Sequence, residues 1–247
     1  MLYWILGTTF FGGVISMIGG VALLAKESVA RKISIYLVSL AAGALLGAAF
    51  LELLPEAIEM AGDNIKSVLL LAVVGIGVLL FFEKALRWYH CHDQEVCDYH
   101  SFSTTVLVGD AVHNFLDGVA IALSFSISVP AGIATGLAVF LHEIPQEMGD
   151  FGVLLHSGYT KSKVLFYNFL TALTALMGAV IGYALLPVIG GAIPYLLAFA
   201  AGTFIYISTS DLIPELRRQL KGQWLLHFLI IAAGIAIIGI LDIIAPE

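Results

Sequence analysis

The sequence predicts an all-α, polytopic membrane protein with eight transmembrane helices. Three observations carry this. The 247-residue chain is 60% hydrophobic and only 12% charged, about half the charge of an ordinary soluble domain. Its mean hydropathy is +1.00, so a water-soluble fold would lack the polar surface to cover its core. Its apolar residues fall in eight continuous runs, roughly 2–24, 33–54, 65–86, 104–128, 131–156, 162–186, 194–214 and 223–244. Each run is near the roughly 20 residues that a helix needs to cross a bilayer. They are too long and too uniformly apolar for barrel strands, which alternate over about 10 residues.

The first run starts at Leu2, with no basic segment before it and no small-residue cleavage site behind it, so it reads as a span and not a signal peptide. Most connections are short and hold Gly or Pro, as in Ser128-Val129-Pro130 and 187–194, which makes consecutive helices antiparallel neighbours. The basic residues then set the orientation. Lys26, Arg31 and Lys32 follow run one; Lys84 and Arg87 follow run three; Lys161 and Lys163 follow run five; Arg217, Arg218 and Lys221 follow run seven. Only Lys66, of 11 Lys and Arg, falls on the opposite side. Basic loops stay cytoplasmic, so both termini face outside. A formal net charge of −7 argues against a nucleic-acid partner. Two cysteines, Cys91 and Cys97, are too few for a disulfide framework.

Runs two and seven share a pattern. Ala41-Ala42-Gly43 is followed by Glu52 and then Leu53-Leu54-Pro55-Glu56; Ala200-Ala201-Gly202 is followed at the same interval by Asp211 and then Leu212-Ile213-Pro214-Glu215. The two runs cross in opposite directions. An inverted repeat of spans 1–3 and 6–8 around a central pair, spans four and five, is therefore expected.

The polar residues concentrate on that central pair. Span four carries His113-Asn114-Phe115-Leu116-Asp117-Gly118 and span five His142-Glu143-Ile144-Pro145-Gln146-Glu147-Met148-Gly149-Asp150. An ionisable group at mid-bilayer costs about 2.5–3.5 kcal/mol on insertion scales and is functional by default. His113 and Asp117 share a helix face by their spacing, as do His142 and Gln146, with Glu143 and Glu147 on the adjoining ridge. Asn114 reaches the same cavity. Pro145 removes one backbone hydrogen bond and is expected to kink the helix near Leu141. Gly118 and Gly149 are expected to allow close helix approach. Imidazole with carboxylate suits Zn²⁺, and also Fe²⁺, Mn²⁺ or Cd²⁺. His142-Glu143-Ile144-Pro145-Gln146 also carries a broken form of the H-E-x-x-H zinc-hydrolase motif, with Gln at the fifth position and Pro at the fourth. An intramembrane metal-dependent hydrolase is thus the alternative to a transporter, and a proton or cation channel built on the same acids is a third reading.

The H-N-x-x-D-G of span four and the H-E-I-P-x-E-x-G-D of span five resemble the signature of the ZIP (Zrt/Irt-like) metal transporters. The Leu-Pro-Glu segment of span two, its Ile-Pro-Glu counterpart in span seven, and eight spans with both ends outside are similar to that family too. The resemblance implies import of divalent metal, usually zinc, into the cytosol through a binuclear site between spans four and five, with a helix bundle moving past a scaffold. Carried over by position, it implies one site from His113, Asp117, His142 and Gln146, and an adjoining site from Asn114, Asp117, Glu143 and Gln146, with Asp117 bridging. Glu147 is a further candidate ligand. Gln146 stands where many members have His, and an amide oxygen is a weaker zinc ligand, so broader metal selection is expected.

Glu52 and Asp211 are candidate entrance and exit residues, and Asn168 on span six is a candidate lining residue. The loop 87–103 holds His90, Cys91, His92, Cys97 and His100, metal-binding side chains on the cytoplasmic side, where they would capture or sense metal. His156 and His227 read as isolated interfacial histidines. The metal is a transported substrate and no cofactor or enzymatic activity is expected. The expected partners are divalent metal ions, the lipid bilayer and a second copy of the chain in a homodimer. Short loops point to a prokaryotic plasma membrane. Protons compete for the same imidazole and carboxylate atoms, so uptake is expected to weaken on acidification.

Overall fold

A computed structural model describes residues 1–90, 99–214, 216 and 223–244; side chains at 27–28, 30–34, 83, 86–90, 99–105, 156, 190 and 241–244 lie outside that description. Helices make up nearly all of the described backbone. The first apolar run is broken once, into α1 (Leu2–Gly13) and α2 (Ile18–Ala25), by a 3₁₀ turn at Ile15–Met17. There the Ser16 hydroxyl donates to the Gly13 carbonyl. The second run is α3 (Glu27–Gly47), followed without a break by a π-helical segment at Ala48–Leu53 and by α4 (Leu54–Ala61). Pro55 explains the widened turn. It has no N–H, and its ring crowds the carbonyl four residues back, which a wider i→i−5 turn relieves. Gly62, at φ +56°, reverses the chain into α5 (Ile65–His90).

α6 (Tyr99–Ile127) and α7 (Val129–His156) form the central pair. Ser128 separates them: its Oγ accepts from the Ala131 N–H at 3.1 Å and caps α7, with Pro130 in the first turn where no donor is needed. The helix runs unbroken through Pro145. α8 (Lys161–Leu185) follows, then α9 (Ile193–Tyr206), a second π segment at Ile207–Leu212 just before Pro214, and α10 (Trp224–Ile244). The helices coincide with the apolar runs but overrun them. α5 reaches His90 and α6 starts at Tyr99; of the expected 87–103 loop, residues 91–98 lie outside the described residues. A helix satisfies its own backbone hydrogen bonds, so it can continue past the bilayer edge into water without penalty.

Among the described residues, five stretches are long and apolar enough to cross a membrane, one of them the 48-residue Ile35–Phe82. The chain is a multi-pass membrane protein. α7 is not among the five, because His142, Glu143, Gln146, Glu147 and Asp150 interrupt its apolar run.

The helices pack in two groups. α6 lies along α8, and both α7 and the first apolar run close on them. α3 lies along α10, and α5 along α9. Glycines set these contacts. A Cβ on Gly118 would collide with the Ala175 carbonyl, and one on Gly178 with the Phe115 carbonyl, so α6 and α8 touch backbone to backbone. Gly43 meets the Ile231 carbonyl and Gly234 the Leu40 carbonyl; Gly75 meets the Phe199 carbonyl and Gly202 the Ala72 carbonyl. The same 32-residue interval separates Gly43 from Gly75 and Gly202 from Gly234. Each π segment begins five residues after its glycine, Ala48 after Gly43 and Ile207 after Gly202. Gly149 departs from expectation: it is exposed, and a Cβ there would meet nothing within 4 Å. Its position on α7 turns it away from the neighbouring helices.

Candidate metal centre

α6 and α7 bring four of the expected residues into one cluster: His113, Asp117, His142 and Glu143. Asp117 is 2% exposed, and His142 and Glu143 are fully buried. His142 Nε2 lies 3.1 Å from Asp117 Oδ2 and 3.1 Å from His113 Nε2. His113 Nε2 is 3.5 Å from Asp117 Oδ2, and Glu143 Oε1 is 3.6 Å from both imidazole nitrogens. Ligand atoms at tetrahedral corners about 2.0–2.1 Å from a zinc ion stand about 3.3–3.4 Å apart. Five of the six separations, 3.1–3.6 Å, are close to such a tetrahedron's edges. Two nitrogens and two oxygens are also the borderline donor set that suits zinc and its neighbours.

The backbone presets one ligand. His142 Nδ1 is 3.0 Å from the Ala138 carbonyl oxygen. A carbonyl only accepts, so Nδ1 carries the proton and Nε2 presents its lone pair to the cluster.

Gln146 is placed differently from its expected companions. Its Nε2 donates to Asp110 Oδ1 at 3.3 Å. Asn114 is buried and its Nδ2 donates to the same Oδ1 at 2.9 Å and to the Asp110 carbonyl at 3.2 Å. Asp110 was not singled out by sequence reasoning. The signal was present: it lies three residues before His113, four before Asn114 and seven before Asp117, on the same face of the helix. Glu147 is fully buried, and neither of its carboxylate oxygens has a hydrogen-bond partner. The same holds for both Glu143 oxygens, Asp110 Oδ2, Asn114 Oδ1 and Asp150 Oδ2. Buried acceptors without donors are costly unless a cation or a proton serves them.

Asn168 on α8 is buried. Its Nδ2 donates to the Val164 carbonyl of its own helix at 2.8 Å, and its Oδ1 has no partner. Glu52 and Asp211 lie on the two π segments, Glu52 buried and Asp211 exposed, and neither belongs to the four-residue cluster. Cys91, His92 and Cys97 lie outside the described residues, as do the side chains of His90 and His100. His227 is not an isolated interfacial histidine. It is 2% exposed, its Nδ1 is 2.6 Å from Ser39 Oγ, and its ring stacks on Tyr36, so it locks α10 to α3.

The model of the ZIP zinc transporter family matches residues 88–242, well over half of the chain. The chain belongs to the ZIP zinc transporter family. Zinc transporter ZIP10 of Danio rerio is 43% identical over 126 residues, covering 50% of this chain and 15% of that protein. Zinc transporter ZIP4 of Homo sapiens is 41% identical over 125 residues, covering 50% of this chain and 19% of that protein. Metal cation symporter ZIP14 of Bos taurus is 35% identical over 153 residues, covering 59% and 31%. The chain thus spans less than a third of the length of each of these relatives. All three come from animals, which lends the expected prokaryotic plasma membrane no support.

Proposed function

We propose that this chain moves a divalent transition metal, zinc foremost with Fe²⁺, Mn²⁺ and Cd²⁺ as competitors, across a membrane into the cytosol. The metal is substrate, not cofactor. One observation carries the reading. Two imidazoles and two carboxylates inside an apolar bundle, all but His113 buried, hold five of their six donor-atom separations at 3.1–3.6 Å. In this scheme His113, Asp117, His142 and Glu143 hold the ion, and Asn114, Gln146 and Glu147 offer oxygens to a second one beside it. Glu52, Asn168 and Asp211 contribute to the path, and the segment around His90–His100 captures metal on the cytoplasmic side. A hydrolase would use Glu143 as a base beside the metal, whereas this scheme uses it as a fourth donor.

The architecture we propose has eight spans, both termini outside, and an inverted repeat of spans 1–3 and 6–8 around α6 and α7. Its support is the matching 32-residue glycine intervals, the two π segments at equal offsets, and the pairing of α3 with α10 and of α5 with α9.

The test is zinc influx into proteoliposomes holding the purified chain. Saturable uptake that His142→Ala and Asp117→Ala reduce to the level of empty vesicles is expected. Wild-type flux equal to that of empty vesicles overturns the reading. Gln146→His is expected to raise the preference for zinc over manganese; an unchanged ranking removes Gln146 from the second site.

A further inference from the structure

The least explained polar residue near the metal centre is Asp110. It sits one turn of α6 before His113, is 5% exposed, and does not join the four-residue cluster. Its Oδ1 accepts from two side-chain amides on two helices, Asn114 of α6 at 2.9 Å and Gln146 of α7 at 3.3 Å. The orientation of the Asn114 amide is dictated by chemistry. Turned over, it would set its oxygen against a carboxylate oxygen and the Asp110 backbone carbonyl, both acceptors. The same holds for Gln146 against Oδ1. With both NH₂ groups drawn to Asp110, both amide oxygens turn away from it. Asn114 Oδ1 is buried with no hydrogen-bond partner.

We infer that Asp110 is a positioning residue for metal selection: by holding the NH₂ groups of Asn114 and Gln146, it presents their oxygens, and not their N–H groups, to the transported ion. This rests on the proposed transport function and on the second, oxygen-rich site that Asn114 and Gln146 would serve. Asp110 does not touch the ion. Its loss lets either amide rotate and replace a donor oxygen with a repelling N–H. Ions that depend on oxygen ligands lose more from this than zinc, which the two imidazoles hold.

The experiment compares wild type, Asp110→Asn, and the double variant Asp110→Asn with Gln146→Glu. It measures Zn²⁺ and Mn²⁺ binding to the purified chain in detergent by calorimetry, and uptake with competing ions in proteoliposomes. Removing an outer partner of a metal ligand typically costs about 10–100-fold in affinity. Asp110→Asn is expected to weaken Mn²⁺ by a factor in that range and Zn²⁺ by less, so the ranking shifts. The double variant is expected to restore it, because a carboxylate offers two equivalent oxygens and needs no orienting acceptor, while the new amide at 110 can donate to it. An unchanged ranking in Asp110→Asn overturns the inference. So does a double variant that binds as weakly as the single one, since that is what a directly ligating Asp110 would give. Should the single variant fail to fold, the double variant is compared with wild type alone: Mn²⁺ affinity within about threefold supports positioning, and a loss beyond about tenfold overturns it. A wild type that binds both ions in this ranking yet moves neither would instead sink the transport reading.

Discussion

In the candidate metal centre, the backbone fixes the tautomer of His142. The Ala138 carbonyl accepts a hydrogen bond from its Nδ1–H, and the Nε2 lone pair stands 3.1 Å from both His113 Nε2 and Asp117 Oδ2. Glu143 completes the set. Glu143→Gln keeps the volume and removes a charge, so zinc affinity measured by calorimetry in detergent is expected to fall about 10–100-fold or more, the floor being what loss of an outer partner alone costs. An unchanged affinity would remove Glu143 from the metal centre. Away from the site, Ser39→Ala strands the buried His227 without its partner at 2.6 Å, and a loss of about 1–3 kcal/mol in unfolding free energy is expected. At this scale the sequence was informative about which residue types meet and less so about which atoms do. Spacing grouped His142 with Gln146, but Gln146 turns to Asp110, because an amide N–H finds a carboxylate a stronger partner than a cluster of ligating lone pairs.

Helix contacts divide the glycines into two kinds. Gly118 has the Ala175 carbonyl where a Cβ would go, whereas Gly149 has nothing within 4 Å. Gly118→Ala is expected to cost about 1–3 kcal/mol by forcing α6 off α8. Gly149→Ala is expected to leave stability unchanged or raise it by about 0.5–1 kcal/mol through helix propensity. Thermal unfolding in micelles distinguishes the two. Gly43→Ala and Gly202→Ala occupy corresponding places, against the Ile231 and Ala72 carbonyls, and equal losses are expected from them. Element boundaries were legible to within a few residues at Ser128, whereas the second run, read as ending at 54, continues helically to Ala61. They were not legible at the π segments: the Leu-Pro-Glu and Ile-Pro-Glu patterns marked the place, but the widened turn is a backbone adjustment that composition does not encode.

For the whole molecule, the proposed topology makes a directional prediction. In a Cys91→Ser/Cys97→Ser background, a cysteine replacing Asp63 is expected to react with an impermeant thiol reagent from outside intact cells, and one replacing Lys161 only after permeabilisation. Both reacting from the same side would refute eight spans. The two helix groups meet along α7, which packs against α3 and α10 on one side and α6 and α1 on the other. That placement puts the candidate metal centre at the seam between them.

The sequence by itself determined that the chain is helical and membrane-embedded, and that the ionisable residues inside its apolar runs concentrate around His113 and His142. Hydropathy and residue identity are enough for this, because a bilayer admits few backbone solutions and penalises unpaired charge. Only the tertiary structure decided that Glu143 joins His113, Asp117 and His142, that Gln146 and Asn114 share Asp110, and that Gly118 and not Gly149 is a contact. Those outcomes depend on how α6, α7 and α8 are rotated against one another, and rotation is set by backbone contacts between helices distant in sequence, which no single helix's pattern contains.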